Sequence, residues 1–170
     1  MIFIKETDRL LLKEYDEIYA QKMHENCFGQ KDTAKYVLWR PTNNKEEVKD
    51  KIDYWLNEVK IDIFWLIHTK NDEPIGFVSA DLIGDCVYGN IGIAIGNKYV
   101  NKGYGSEVLK ALIEHIKECN GKQIYYSHFK ENDASKRLAL KYGFKFYRQE
   151  KRVRRYDNKE FDELFYVLDL

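Results

Sequence analysis

The spacing of hydrophobic and polar positions divides the chain into alternating strands and helices. Alternating apolar residues predict a first strand over Arg9 to Lys13, and a polar, aromatic-containing segment from about Asp16 to Cys27 has a helical pattern. A second helix runs from Asn44 or Lys45 to Lys60, with Asn44 and Glu47 offering N-terminal capping chemistry. Its apolar residues fall on one face at helical spacing: Val48, Ile52, Trp55, Leu56 and Val59.

The centre of the chain is strand-like and its C-terminal part is mixed. The pattern predicts a hairpin formed by strands over Ile63 to Thr69 and Pro74 to Leu82. It predicts the next strand over Val87 to Ile95. A helix then begins near Ser106 and ends near Asn120-Gly121. The remaining predicted elements are a strand over Ile124 to His128, a helix over Asn132 to Lys141, and strands over about Phe144 to Tyr156 and Phe161 to Leu168.

This order of elements predicts an α+β fold. The early strands should meander antiparallel, and the later strand–helix–strand piece should be a parallel, right-handed crossover. We therefore expect a single mixed, mostly antiparallel sheet of about seven strands with helices on both faces. At 170 residues the chain is expected to form one domain over 1–170.

Charge and targeting signals narrow the class of protein. The 28 Lys and Arg residues balance 28 Asp and Glu residues, so no global basic field favours nucleic acid or an anionic membrane. The start, Met1 to Glu6, is interrupted by charge too soon for a signal peptide, and no apolar run is long enough to span a bilayer. We interpret the chain as cytoplasmic. Cys27, Cys86 and Cys119 are odd in number and widely spaced, which favours reduced thiols.

Metal and covalent-hydrolase chemistry have little local support. Among the four histidines, only His24 has a partner at ligand spacing, Cys27, and this would be half a site. No Gly-x-Ser-x-Gly nucleophile elbow is present. We expect no metal.

The stretch from Ile91 to Gly105 is the strongest chemical signal. A β-branched strand breaks into a polar turn that opens onto a helix, with Gly103 and Gly105 at the junction. Glycines allow close backbone approach, and the N–H groups of a first helical turn favour an anion. Taken alone, the segment is more simply explained as a tight strand-to-helix turn. A dinucleotide fingerprint needs a glycine where Val108 stands, and Gly121-Lys122 lacks the rest of a P-loop, so NAD and ATP are disfavoured.

Four segments in this order resemble the GNAT superfamily of N-acetyltransferases, in the RimJ/RimL-like branch of ribosomal-protein N-terminal acetyltransferases. They span nearly the whole chain: Glu6-Thr7-Asp8-Arg9-Leu10-Leu11-Leu12, the glycine loop, Asn132-Asp133-Ala134-Ser135 continuing to Gly143-Phe144, and Phe161-Asp162-Glu163. The resemblance implies acetyl-CoA as cofactor and an amine as acceptor.

The resemblance also assigns cofactor-binding positions. The loop Val100, Asn101, Lys102, Gly103, Tyr104, Gly105 and Ser106 would hold the pyrophosphate. Ile93, Ala94 and Ile95 would offer a strand edge to pantetheine beside a bulge, and Asn132, which is also a plausible helix N-cap, would touch the same arm. The loop begins with Val100 where the family usually has Gln or Arg, so one side-chain contact is lost; Lys102 is a candidate replacement charge.

Catalytic positions are only partly matched. Ala139 stands where many relatives have a tyrosine, and Tyr142 is one turn further on. Ser135 matches the serine of the ribosomal-protein branch and is the candidate proton donor to the leaving thiolate; alternatively it only helps the helix begin. Asn90 replaces a glutamate common before the central Ile-Gly, so the general base stays unassigned. The candidate substitutes are Glu25, Asp81, Asp85 and Glu163.

Aromatic residues near the early helices are the candidates for acceptor binding. An amine could be held by stacking or cation–π contact with Tyr36, Trp39, Trp65 and Tyr88, although core packing explains such residues about as well.

The sequence predicts direct transfer in a ternary complex to a primary amine, either a protein N-terminus or a small molecule such as a polyamine. One alternative is a non-catalytic acyl-CoA-binding or sensing module. Another, disfavoured here, is nucleic-acid binding through Arg152, Arg154 and Arg155. The oligomeric state is left open, with a homodimer as one alternative.

Overall fold

The computed structural model describes residues 4–170, and an eight-stranded sheet forms its frame. Met1–Phe3, part of the stretch for which no signal peptide is predicted, lie outside the described residues. The strands are β1 (Ile4–Glu6), β2 (Leu10–Lys13), β3 (Ile63–Thr69), β4 (Pro74–Gly84), β5 (Val87–Ile95), β6 (Gln123–Phe129), β7 (Lys145–Arg154) and β8 (Lys159–Asp169). Their spatial order is β1-β2-β3-β4-β5-β6-β8-β7.

Helical segments connect these strands. The α-helices are α1 (Ala20–Met23), α2 (Lys45–Tyr54), α3 (Tyr104–Glu118) and α4 (Asp133–Lys141). Single π turns extend α1 over His24–Phe28 and α2 over Trp55–Val59, and short 3₁₀ turns occur at Glu17–Tyr19, Thr33–Tyr36 and Asn97–Tyr99. Asn44 caps α2 as predicted, because its side-chain oxygen accepts from the Glu47 N–H at 2.9 Å.

The sheet is antiparallel except for one parallel pair. Every neighbouring pair is antiparallel apart from β5 and β6. The mixed, mostly antiparallel sheet predicted from sequence is therefore confirmed. The extra strand is β1, whose three residues are too few to show an alternating pattern.

Two hydrophobic layers cover the two faces of the sheet. On one face, α3 packs Leu109, Leu112 and Ile116 against strand residues that include Ile67 and Tyr126. On the other face, Met23 and Phe28 of the first helical region and Ile52 of α2 pack against strand residues including Phe77. Successive residues of a strand point to opposite faces of the sheet, so neighbouring strand residues belong to different layers. We call the two sides of the sheet the α3 face and the α2 face, after the helix that covers each.

Two helix boundaries differ from the sequence prediction. The segment from Asp16 to Cys27 is a succession of a 3₁₀ turn, a short α-helix and a π turn rather than one regular helix. Helix α3 begins at Tyr104, two residues before the predicted start, because Gly103 adopts a left-handed conformation (φ +79°) and turns the chain directly into the helix.

Candidate active site

A cleft opens where β5 and β6 separate. Only Val87↔Gln123 and Tyr88↔Ile124 are paired between these strands, and beyond them the two strands diverge. The register of β4 with β5 shifts between Ser79 and Asp81, opposite Asn90, whose positive φ (+50°) marks the extra residue of a bulge. The resulting cleft has a volume of about 510 Å³. It therefore lies at the sheet position where the family resemblance places a bulge and an exposed strand edge.

The cleft brings together several of the residues singled out in the sequence. Ile93 and Ala94 line it from β5, Asn132 and Ser135 from the start of α4, and Tyr36 and Trp39 from the segment before α2. The glycine loop lies outside the cleft lining, at the N-terminus of α3. Cofactor and acceptor candidates thus share one continuous region.

Two predicted acceptor residues lie elsewhere. Trp65 is buried in the core on the α3 face, where its ring meets the edge of His115 at a centroid distance of 4.8 Å. Tyr88 also packs against that core, in the part of β5 that is still paired with β6. Neither lines the cleft, so the structure offers no support for acceptor binding by these two residues. Aromatic content alone did not distinguish core residues from cleft residues.

Gly103 and Gly105 form the turn into α3. A Cβ on Gly103 would stand 3.3 Å from Nη2 of Arg9 and would also meet a backbone conformation that side chains rarely adopt. A Cβ on Gly105 would make only ordinary contacts, at 3.8 Å from Ile95 and Leu138. The protein interior therefore does not itself demand a glycine at position 105, whereas close approach of a ligand to the backbone would.

Arg9 braces this loop from a distant part of the chain. Its Nη1 donates to the Lys102 carbonyl at 2.8 Å, and its Nε donates to Oε2 of Glu107 at 2.8 Å. The guanidinium also lies 4.7 Å from the centre of the Tyr104 ring. Oε1 of Glu107 accepts from the Arg9 N–H and the Thr7 hydroxyl as well. Arg9 thus supplies loop support that Val100, at the start of the loop, lacks.

A cation lies near the first turn of α3. Nζ of Lys141 donates to Oγ of Ser106 at 2.6 Å, and the Tyr142 hydroxyl donates to the Ser106 carbonyl at 2.7 Å. Lys141 and Tyr142 belong to the end of α4, so the two helices are tied together at this point. The positive end of a 15-residue helix and an ammonium group thus lie at the same turn, an arrangement that favours a bound anion.

Ser135 is held by two hydrogen bonds at the start of α4. Its backbone N–H donates to Oδ1 of Asn132 at 3.2 Å, so Asn132 is the N-cap as well as a cleft residue. The Ser135 Oγ lies 2.6 Å from the Tyr126 hydroxyl. Burial raises the pKa of Tyr126, which keeps its phenol protonated and available as a donor to Ser135.

His128 sits two residues beyond Tyr126 on the same face of β6. Its Nδ1 lies 2.6 Å from the carbonyl oxygen of Phe129, and a carbonyl only accepts, so Nδ1 carries the proton. Nε2 then accepts from the Tyr166 hydroxyl at 3.1 Å. Burial lowers the pKa of His128, which favours the neutral imidazole described by these two contacts.

A buried carboxylate faces the cleft from the α2 face. Oε1 of Glu163 accepts from the Ser127 hydroxyl at 2.7 Å, whereas Oε2 has no hydrogen-bond partner among the described residues. Nε of Arg152 lies 3.6 Å from Oε2, which is too long for a hydrogen bond but within the distance of an ion pair. Burying a carboxylate oxygen without a hydrogen-bond donor destabilises the folded protein, because the atom loses its hydration. Oε2 is therefore suited to accept a hydrogen bond from a ligand.

The other acidic candidates are less favourably placed. Asp81 lines the cleft, but its Oδ2 already accepts from the Asn90 side chain at 2.9 Å. Glu25 is exposed and pairs with Gln21 and Lys22, and Asp85 is exposed in the β4–β5 turn. Geometry therefore selects Glu163 among the four candidates that the sequence left open.

Arg154 fixes the segment that forms one wall of the cleft. Nη1 of this buried arginine donates to the carbonyls of Ala34, Lys35 and Val37 at 3.1–3.3 Å. The other side of the guanidinium pairs with Asp157 at 2.6 Å. Arg154 is thus not displayed on a surface for nucleic acid, as the disfavoured sequence alternative required; it joins the β7–β8 hairpin to the segment that carries Tyr36.

Trp39 has both a packing role and a cleft role. Its ring lies 5.1 Å from Phe28 and 6.3 Å from Phe77 between centroids, within the layer on the α2 face. It also lines the cleft together with Trp55. A change at Trp39 would therefore alter core packing along with any contact to an acceptor.

Residues 4–170 contain no group of three or more His, Cys, Asp and Glu side chains that could hold a metal ion. Within the same range, no helix is long and apolar enough to cross a membrane.

Comparison with known proteins defines the class. The model of the acetyltransferase (GNAT) domain family matches residues 9–145, which include the elements from β2 to α4; the cleft residues Arg152, Glu163 and Phe165 follow this range. The chain therefore belongs to the GNAT acetyltransferase family. This family is one of acetyltransferases, and its acetyl donor is acetyl-CoA.

The more similar individual proteins are also acetyltransferases. A spermine/spermidine N(1)-acetyltransferase from Bacillus subtilis is 33% identical over 91 residues, which cover 44% of this chain and 60% of that protein. RimL, the ribosomal L7/L12 alpha-N-protein acetyltransferase, superposes with a TM-score of 0.84 at 20% identity over 100% of this chain and 96% of its own. Microcin C7 self immunity acetyltransferase MccE, solved with acetyl-CoA and AMP, superposes with a TM-score of 0.81 at 19% identity, covering 96% and 93% of the two chains.

The residues of this chain fit acetyl-CoA. The turn at Gly103 to Ser106 leaves space at the N-terminus of α3, with Lys141 beside it, and β5 presents an unpaired edge where it leaves β6. Three contributors to the site were missed in the sequence: Arg9, Tyr126 and Arg154. Arg9 belongs to the opening motif but its hydrogen bond to the loop spans 93 residues of sequence, Arg154 contacts carbonyls 117–120 residues away, and no motif singles out Tyr126 on its strand.

Proposed function

We propose that this protein transfers the acetyl group of acetyl-CoA directly to a primary amine within a ternary complex. The observation that carries the proposal is the position of Ser135 and Glu163 in one cleft, on opposite faces of a sheet that opens between them. A proton donor on the cofactor side and a carboxylate on the acceptor side are the two groups that acetyl transfer to an amine requires.

The cofactor would be held along α3, α4 and β5. Backbone N–H groups of Val100 to Ser106 and the ammonium of Lys141 would bind the pyrophosphate, and the edge of Ile93 to Ile95 would pair with pantetheine. Oδ1 of Asn132 is used in capping α4, which leaves its NH₂ group as a donor to the same arm. When bound, acetyl-CoA supplies the acetyl group as an activated thioester.

Glu163 would act on the acceptor. An amine is protonated near neutral pH and must lose a proton before its nitrogen can form a bond to carbon. Oε2 of Glu163, which lacks a hydrogen-bond partner, would accept from the ammonium and take up its proton. In the complete reaction a C–N bond forms and a C–S bond breaks. The ammonium gives up two protons, of which one ends on the CoA sulfur and one passes to solvent.

Ser135 would act on the leaving group. Its Oγ would hold the proton for the departing sulfur, while the Tyr126 hydroxyl donates to Oγ and keeps the serine proton directed towards the cleft. Tyr126 is thus a positioning residue that acts through Ser135. In this proposal the proton donor, Ser135, lies on the α3 face, and the proton acceptor, Glu163, lies on the α2 face.

Direct transfer is supported by the absence of a thiol from the cleft wall. Cys27 is fully buried and burial raises the pKa of its thiol, Cys86 lies in the β4–β5 turn, and Cys119 ends α3. None of these three lines the cleft. A cysteine acyl-enzyme therefore has no nucleophile at the site.

The test is a screen of the purified protein with acetyl-CoA against a library of primary amines, following free thiol and confirming the amide by mass spectrometry. We expect thiol release that depends on an amine and equals amide formed. Thiol release without amine, accompanied by acetylated protein, would contradict direct transfer. Binding of acetyl-CoA without turnover of any amine would contradict the proposed function and favour a sensing module.

A further inference from the structure

The acceptor half of the cleft can be separated from the cofactor half by strand alternation. Tyr126 of β6 belongs to the layer on the α3 face, whereas Phe77 and Ala94 belong to the layer on the α2 face. Ser127 contacts Glu163, and Phe129 stacks on Phe161 at 3.7 Å between ring centroids, so these residues of β6 and β8 also lie on the α2 face. An acceptor that approaches Glu163 enters the cleft from this face.

The wall on the α2 face is apolar and aromatic. Leu38 and Val59 line the cleft with 58% and 48% of their surfaces exposed, although large aliphatic side chains gain by burial. Further apolar lining on this face comes from Trp39, Trp55, Phe77 and Phe165. This surface suits a hydrophobic ligand body.

Charged side chains in this half are few. Among the side chains that line the cleft, the acidic groups are Asp81 and Glu163, and the basic group is Arg152. Asp81 accepts from the neutral Asn90 side chain and keeps its charge, and Arg152 forms ion pairs with both Glu150 and Glu163. Oε2 of Glu163 accepts no hydrogen bond within the described residues and is therefore the carboxylate oxygen best able to receive a donor from an ammonium group.

The aromatic rings of this wall are poorly placed for a cation–π contact with a second ammonium group. Nζ of Lys51 already lies 5.7 Å from the centre of the Trp55 ring. Trp39 and Phe77 pack against Phe28 at centroid distances of 5.1 and 5.2 Å. A second or third ammonium placed against the wall formed by Leu38, Trp39 and Val59 would therefore lie among apolar groups with a cation nearby, and this wall itself has no carboxylate to compensate for the lost hydration.

We infer that the acceptor is a small primary amine carried on an aromatic or aliphatic body, with no second cationic group. This inference rests on the proposed function and specifies its substrate class. The amine reaches Glu163, and the apolar body lies against Leu38, Trp39 and Val59. The volume of about 510 Å³ also has to admit the thioester end of the cofactor, which favours a small molecule over a peptide.

The test compares kcat/KM for 2-phenylethylamine and tryptamine with kcat/KM for spermidine and spermine, at fixed ionic strength and saturating acetyl-CoA. We expect the arylalkylamines to be preferred by about tenfold or more, since their bodies match the wall and they carry one charge. A short peptide is assayed in parallel. Equal or better use of spermidine, or faster acetylation of the peptide N-terminus, would overturn the inference while leaving acetyl transfer intact.

A pair of matched variants ties the preference to this wall. Leu38→Glu adds a carboxylate at the cleft mouth and should shift the preference several-fold towards spermidine. Ile18→Glu makes the same type of change at an exposed aliphatic residue that does not line the cleft. An equal shift in both variants, or none in Leu38→Glu, would overturn the assignment. Absence of turnover with every amine, with acetyl-CoA still bound, would remove the proposed function and this inference with it.

Discussion

Ser135 and Tyr126 are joined by a hydrogen bond of 2.6 Å between Oγ at the start of α4 and the phenol of β6. The two residues are nine positions apart, and the bond crosses from helix to sheet beside the cleft. Burial raises the pKa of Tyr126 above its ordinary value, so Ser135 Oγ lies beside a neutral phenol that can exchange a hydrogen bond with it.

Loss of the Ser135 hydroxyl should slow the chemical step. Ser135→Ala is expected to lower kcat by about ten- to a thousand-fold with little change in acetyl-CoA affinity, as for a single catalytic proton donor. Steady-state kinetics together with calorimetry measure both quantities. A kcat within about twofold of wild type, with chemistry rate-limiting, would leave Ser135 only a role in beginning α4.

Tyr126→Phe should give a smaller loss of kcat in the same direction, because Ser135 keeps its hydroxyl but loses its donor. The control is Tyr125→Phe, which alters the neighbouring residue on the opposite face of β6, where Tyr125 packs against Tyr147. Combining Ser135→Ala with Tyr126→Phe should add little to the loss from Ser135→Ala alone. Additive losses would contradict action through Ser135.

The left-handed turn at Gly103 should be essential for cofactor binding. Gly103→Val forces a β-branched side chain into a φ of +79° and places a Cβ beside Arg9, so the loop should move and acetyl-CoA affinity should fall strongly. Calorimetry on the folded variant measures the loss. Gly143→Val is the matched control for backbone strain, since Gly143 has φ +82° at the end of α4. Equal affinities in wild type and folded Gly103→Val would contradict the assignment of the loop.

Arg154 is expected to control acceptor binding through the segment that it fixes. Arg154→Lys keeps the charge but loses the fork that bonds to Asp157 and the carbonyls of Ala34 to Val37. KM for the amine should rise several-fold while acetyl-CoA affinity is unchanged. The exposed Arg155→Lys serves as control. A fall in melting temperature with equal effects on both substrates would make Arg154 a purely structural residue.

Stability should fall as the pH is lowered below about 6.5. His68 is buried, and this burial lowers the pKa of His68 below its ordinary value despite the contact with Asp72 at 2.9 Å. Its Nε2 has no hydrogen-bond partner in the described part of the chain. The unfolded chain therefore binds a proton at higher pH than the folded chain, and stability is lost from about 6.5 down to the lowered pKa.

Urea unfolding at several pH values measures this dependence. His68→Asn should flatten the slope of unfolding free energy between about pH 6.5 and 5, with the slope above pH 7.5 unchanged. Burial also lowers the pKa of His115 and His128, so some slope should remain. An unchanged slope in His68→Asn would contradict the protonation cost at this residue.

Sequence patterns predicted the elements well where periodicity is long. The apolar face of α3, the nearly continuous apolar runs of β3 and β4 and the alternating isoleucines of β5 are visible from the sequence alone, whereas β1 and the π turns are too short or too irregular. The parallel pairing of β5 and β6 followed from the helix between them. How far those strands stay paired is a tertiary property, so the cleft itself could not be read from sequence.

Site residues were predictable only where a local motif contains them. Gly103, Asn132 and Ser135 belong to short motifs beside a helix start, and the structure places Asn132 and Ser135 in the cleft. Trp65 lies in the core and not in the cleft lining, a difference that the sequence does not show because a core tryptophan and a cleft tryptophan occur in similar local patterns. Arg9 and Arg154 act across 93 and 117–120 residues, and such pairings are fixed by the folded sheet.

The central claim is that Glu163 removes the proton of an amine held in the cleft for acetyl transfer. The most direct measurement is kcat/KM for the best amine in wild type and Glu163→Gln between pH 6 and 9, with acetyl-CoA affinity measured alongside. We predict a loss of about a hundredfold near neutral pH that narrows as the pH rises, because solvent then deprotonates the amine, with unchanged acetyl-CoA affinity. A kcat/KM within twofold of wild type across this range would contradict the account.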